Sequence, residues 1–114
     1  MDATVHRVAI ALTTAGSEEE AERIARTLVE ERLAACVNVL GGAVSIYRWK
    51  DEVSRDEEAL LVIKTTRERF PEVSRRIREL HSYELPEAVL LPALDADPEY
   101  ERWIEEAVPA RGPR

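Results

Sequence analysis

The chain has 114 residues and a mass of 12.9 kDa; 45% of it is hydrophobic, 34% is charged, and the formal net charge is −7. That is one domain spanning 1–114, too apolar for disorder, with no apolar run near the ~18 residues of a membrane span. Residues 1–12 lack a signal-peptide layout, so secretion is not expected. The acidic balance opposes nucleic acid and anionic membranes, and the lone Cys36 can close no internal disulfide, so a reducing cytoplasm is the expected home.

The first element is a strand over 5–13, with Val8, Ile10 and Leu12 on one face and small Ala9 and Ala11 on the other. Gly16 ends it. Ser17 and Glu20 have capping-box spacing and open a helix whose stripe is Ala21, Ile24, Ala25, Leu28 and Val29. Residues 35–49 form a long strand, interrupted at Gly41-Gly42 as by a bulge. Lys50-Asp51 is a two-residue hairpin turn, and the chain returns over 52–65. Thr66 is placed to cap a second helix over 67–81, with Phe70, Val73, Ile77 and Leu80 on one stripe and Pro71 in the first turn. A connector over 82–87 leads to a fourth strand over 88–94, which Pro92 marks as an edge. Asp97-Pro98 starts a short helix with Tyr100, Trp103, Ile104 and Ala107 inward. The last residues, 109–114, are expected to fray.

Strand, helix, strand, strand, helix, strand is the split βαβ order, which predicts an α+β, ferredoxin-like sandwich with an added C-terminal helix and an ordered core over about 5–108. Right-handed crossovers put both main helices on one sheet face and leave the other uncovered. Fourteen-residue hairpin strands would run about 46 Å, well beyond a domain with a radius of gyration near 13 Å. Such a hairpin must bend or project, and Tyr47 and Trp49 near its tip need something to pack on. A homo-oligomer is therefore expected.

Chemistry-bearing residues are few. Cys36 reads as a small structural thiol, because the topology keeps it from His81 and a nucleophile needs a nearby base. No nucleophile–base pair or cofactor motif is visible, so no enzyme and no organic cofactor are expected. His81, beside Tyr83, Glu84 and Glu87, is either a metal ligand with carboxylate help or a helix C-terminal cap; both readings stand. His6 reads as a surface residue. Arg75, Arg76 and Arg78 read as a solvated face. The third strand, Ala59-Leu60-Leu61-Val62-Ile63-Lys64, lacks the stacking aromatics that RNA-recognition modules of the same element order require.

Five segments in order resemble the divalent-cation tolerance (CutA) family. They are Glu31-Arg32-Leu33-Ala34-Ala35-Cys36-Val37-Asn38, Ser45-Ile46-Tyr47-Arg48-Trp49-Lys50, Ile63-Lys64-Thr65-Thr66, His81-Ser82-Tyr83-Glu84-Leu85-Pro86-Glu87 and Pro98-Glu99-Tyr100-Glu101-Arg102-Trp103. The resemblance implies a cytoplasmic homotrimer whose hairpins extend the sheets between subunits, with a role in the response to metal ions and copper binding. The metal site expected from the residues themselves is His81 with Glu84 and Glu87, taking copper(II) or another divalent cation weakly. An intersubunit cleft or interface is expected at Tyr47, Trp49, Lys64, Tyr83 and Trp103. The trimer plan is similar to that of PII-like signalling proteins, which makes an adaptor binding a small ligand or partner protein between subunits the alternative. Two residues depart from the family pattern: Ser82 stands for a proline and Asp51 for a glycine. The positions matching the family's copper ligands are Thr13, Leu80 and His81, of which only His81 is a good ligand.

Overall fold

The computed structural model describes residues 6–110. The elements are β1 (Val8–Ala15), α1 (Glu18–Glu30), β2 (Cys36–Trp49), β3 (Glu52–Thr66), α2 (Phe70–Leu80), β4 (Val89–Pro92) and α3 (Pro98–Ala107). The strands form one antiparallel sheet in the order β2-β3-β1-β4. The expected strand start at Val5 and the fraying of 111–114 lie outside the described residues.

The core lies between the sheet and the two main helices. Ala11 and Ala15 of β1 and Ala59, Leu61 and Ile63 of β3 meet Ile24 and Leu28 of α1 and Val73 and Ile77 of α2. The small alanines of β1 therefore face the helices, while bulkier Ile10 and Leu12 point the other way and stay partly exposed. Ser17 caps α1 by accepting the Glu20 N–H at 3.1 Å. Val29, expected on the inner stripe, is 41% exposed at the edge of the α1–β2 groove.

The hairpin outreaches the sheet. β1 pairs with β3 only over 59–66, so 43–49 and 52–58 form a two-stranded ribbon. The radius of gyration is 15.0 Å and the long axis 44 Å, larger than the ~13 Å of a compact chain of this length. The register slips between Leu40 and Ala43, so Gly41 and Gly42 oppose one residue, and Gly42 has φ +79°. This is the expected bulge, with glycine where left-handed backbone is required. At the tip Lys50 and Asp51 have φ +52° and +68°, the two positive angles of a type I′ turn.

Three expectations are corrected. Thr66 does not cap α2; it is the last residue of β3, and α2 starts at Phe70 after a turn, with Arg69 at the cap position and no side-chain cap bond. Strand pairing to β1 carries β3 through Thr66, so the helix begins later than its periodicity suggests. In α3 only Ile104 of the expected inner set is fully buried, joined by Val108, while Tyr100 and Trp103 are exposed and stack on each other at 5.5 Å. The second sheet face is not wholly bare either. α3 packs against β3 and β1 and covers one end of it, where Val8 and Thr66 are buried.

Candidate functional site

An open groove of about 760 Å³ lies where the ribbon leaves the sheet. Its walls are the end of β1 at Thr14, the hairpin from Ser45 to Trp49 with Asp56 and Glu58, and the connector from Tyr83 to Glu87. Tyr47, Trp49 and Tyr83 supply its aromatic surface. Asp56, Glu58, Glu84 and Glu87 supply four carboxylates, and no Lys, Arg or His side chain lines it.

The connector is anchored from beneath. The His81 ring is fully buried. Its Nε2–H donates to the Thr14 carbonyl at 2.6 Å, and its Nδ1 accepts the Tyr83 N–H at 3.0 Å. Both nitrogens are thus engaged, Nε2 as donor and Nδ1 as acceptor. Glu20, from α1, accepts the Ser82 N–H at 2.9 Å and the Ser82 hydroxyl at 3.1 Å. Burial alone would push the Glu20 carboxyl up, but those two bonds, with His81 and Arg23 nearby, outweigh it and hold the carboxyl below its usual range. The departure at Ser82 has a physical role here, because a proline could offer neither donor.

From this anchor Tyr83 reaches over Gly16, where a Cβ would sit 3.3 Å from its hydroxyl. The Tyr83 hydroxyl donates to Glu58 at 2.6 Å, and the Tyr47 hydroxyl donates to Asp56. Burial, and then Glu58, pushes the Tyr83 phenol far up; the bond to Asp56 raises that of Tyr47. Desolvation and the charge of Glu58 push Glu87 up.

The structure thus brings Tyr47, Trp49, Tyr83, Glu84 and Glu87 to one groove and separates other expected residues from it. Lys64 lies farther along β3, its Nζ 2.7 Å from Asn38 Oδ1. Trp103 is on α3. His81 lies under the groove floor rather than in it, so its expected role as a ligand runs against the use of both nitrogens. Thr13 is buried on the helix-facing side and Leu80 packs on the core. Cys36 is a free, partly exposed thiol paired with Lys64, which is opposite Ile10. His81 binds Thr14, four residues or about 13 Å along the same strand. Among the described residues no three His, Cys, Asp or Glu side chains are grouped to hold a metal ion. The sequence reading missed Asp56, Glu58 and Glu20. Only strand register and helix packing bring them to the connector, and nothing in their local sequence marks them.

The split βαβ sheet, its projecting bulged hairpin and the acidic, aromatic groove at the hairpin's base define a recognisable class of small α+β protein. The family model for the CutA1 divalent ion tolerance protein matches residues 9–107. The divalent-cation tolerance protein CutA of Thermus thermophilus is 50% identical over 97 residues, which are 85% of this chain and 94% of that one. Mouse protein CutA is 39% identical over 99 residues, and the match spans 87% of this chain and 56% of the mouse protein. The solved structure of the Thermus thermophilus protein superposes with a TM-score of 0.87 at 48% identity, covering 89% of this chain and 98% of that one. A structure described as the periplasmic divalent cation tolerance protein CutA of Archaeoglobus fulgidus gives 0.86 at 37%, covering 89% and 98%. The chain belongs to the CutA1 divalent ion tolerance family.

Proposed function

We propose that this chain is a non-enzymatic divalent-cation-binding homotrimer that contributes to metal tolerance. The observation that carries the reading is the groove with four carboxylates and no basic side chain in its lining. Glu84 and Glu87 make no hydrogen bond or ion pair among the described residues and form the cation-facing wall, with Glu58 beside Glu87. His81 holds the connector that presents them. An oxygen set of this kind favours hard divalent cations, and copper(II) binds through its place at the top of the divalent series rather than through imidazole. With no three such ligands grouped among the described residues, the cation is held weakly or completed by a neighbouring subunit.

The assembly follows from exposed apolar surface. Ile46 is 70% and Val53 65% exposed on the ribbon, and a two-stranded ribbon alone is marginal in water. The sheet has open edges at β2 and β4, and the face away from α1 and α2, covered by α3 at one end only, presents Leu40, Val89 and Leu91. Head-to-tail pairing of unlike edges closes a ring. Cys36, unpaired, suits the reducing cytoplasm; the Archaeoglobus relative is described as periplasmic, and cell fractionation decides between the two.

The test is light scattering followed by calorimetric titration of the untagged protein with copper(II) and with manganese(II). The expected mass is about three times 12.9 kDa. Expected binding is saturable, weakened by Glu87→Gln and by Glu84→Gln. A monomer at micromolar concentration sinks the trimer. Heat signals identical in wild type and both variants remove the groove as the cation site.

A further inference from the structure

A second titratable cluster lies away from the groove, where the chain enters β1. His6 sits between two carboxylates on opposite sides of its ring. Its Nδ1 is 2.7 Å from Glu101 Oε2, on the first turns of α3. Its Nε2 is 3.4 Å from Asp95 Oδ1, in the connector that follows β4. The His6 and Glu101 side chains are mostly buried, 22% and 17% exposed, whereas Asp95 is open to solvent. Among the described residues Arg67, from the turn after β3, also reaches this corner, its guanidinium donating to the His6 carbonyl at 3.5 Å.

A neutral imidazole carries one N–H. When it donates to Glu101 through Nδ1, its Nε2 lone pair faces the Asp95 carboxylate. The imidazolium keeps that hydrogen bond and turns the second contact into an ion pair. We propose that His6 is a proton-operated clasp that fastens α3 and its connector to the start of the sheet. The clasp matters because α3 is thinly attached: Ile104 and Val108 are its fully buried side chains, and Tyr100 and Trp103 point outward. A second tie, from Arg69 to the Pro109 carbonyl at 3.3 Å, holds the far end of α3 and does not involve His6. Proton loss from His6 therefore loosens the near end, the capped turn at Asp97, and with it the cover over Val8 and Thr66.

The carboxylate contacts favour the charged ring in the folded state only, so their stabilisation is present at acidic pH and is lost as pH rises through the ring's titration. The experiment is hydrogen exchange of the intact assembly, reading protection factors of α3 amides against those of α1 at about pH 5.5 and about pH 8. In wild type the α3-to-α1 ratio should fall roughly three- to tenfold with the rise in pH, the size expected for a partly screened ion pair and its hydrogen bond. In His6→Gln the ratio should stay constant. A flat ratio in wild type, or an equal fall in His6→Gln, overturns the clasp. Asp95→Asn, at a solvent-exposed position that leaves the fold intact, should move the midpoint of the His6 ring titration by NMR to lower pH. An unchanged midpoint also overturns it.

Discussion

The anchor under the groove is tested most directly by His81→Ala. The ring is fully buried and holds two backbone groups, the Thr14 carbonyl and the Tyr83 N–H. Truncation leaves both without a protein partner. An unmet buried group costs about 1–3 kcal/mol; Thr14 and Tyr83 both line the groove, so water entering the vacated space would keep the cost near the lower end. Two groups then give about 2–4 kcal/mol. For a domain of this size that lowers the melting temperature by about 8–16 °C. The assay is urea unfolding followed by Trp fluorescence at fixed protein concentration, because assembly couples stability to concentration. His81→Gln is the informative control, since its amide N–H can replace the bond to Thr14 but not the acceptor for Tyr83; it should recover roughly half the loss. The effect should also reach the groove. Tyr83, freed at its backbone, would lose its seat against Glu58, and its phenol, now raised by burial and Glu58, should titrate closer to its ordinary value in ultraviolet spectra. A loss below about 1 kcal/mol in His81→Ala, with the phenol unmoved, would refute the view of His81 as the structural anchor.

Two more outcomes follow from the same geometry. Glu20 is held below its ordinary value of 4.5, so its contribution to stability is present above that pH and is lost as pH falls through the lower folded-state value; Glu20→Gln should flatten the acid limb of the stability curve measured by urea midpoints. At the hairpin tip Asp51 has φ +68°, which glycine adopts without strain. Asp51→Gly should stabilise by about 0.5–1 kcal/mol, read by thermal denaturation, and a loss of stability would show that the Asp51 side chain rather than its backbone angle matters.

Much of the fold is legible in local chemistry. Alternation in β1, the N-cap at Ser17, the glycine pair at the bulge and the two-residue turn all act within a few residues, and each appears where its residues place it, although Glu20 leaves the other half of the expected capping box to bind Ser82. The misplacements have one physical origin. Thr66 has the side chain of a cap but is claimed by strand pairing with Val8, and Trp103 has helical spacing for the core but lies on a helix that buries one narrow line, through Ile104 and Val108. Propensity and periodicity say which face of a segment is apolar, not which neighbour arrives to cover it.

The candidate site divides in the same way. His81, Tyr83, Glu84 and Glu87 are visible in the sequence as a polar, aromatic cluster in one connector, and Tyr47 and Trp49 as aromatics near a hairpin tip. Their roles are not visible. Asp56 and Glu58 enter the groove through the register of β3, about 25 residues before the tyrosine that binds Glu58, and Glu20 reaches Ser82 from 62 residues away. The sequence by itself determined the element order, the projecting hairpin, the acidic charge and the residue types available for chemistry, because those depend on composition and short-range spacing. Tertiary structure alone decided that the His81 ring serves as an anchor with both nitrogens engaged, that the carboxylates meet in one groove, and that His6 faces two acids, because hydrogen-bond partners separated by tens of residues are chosen by how the elements pack.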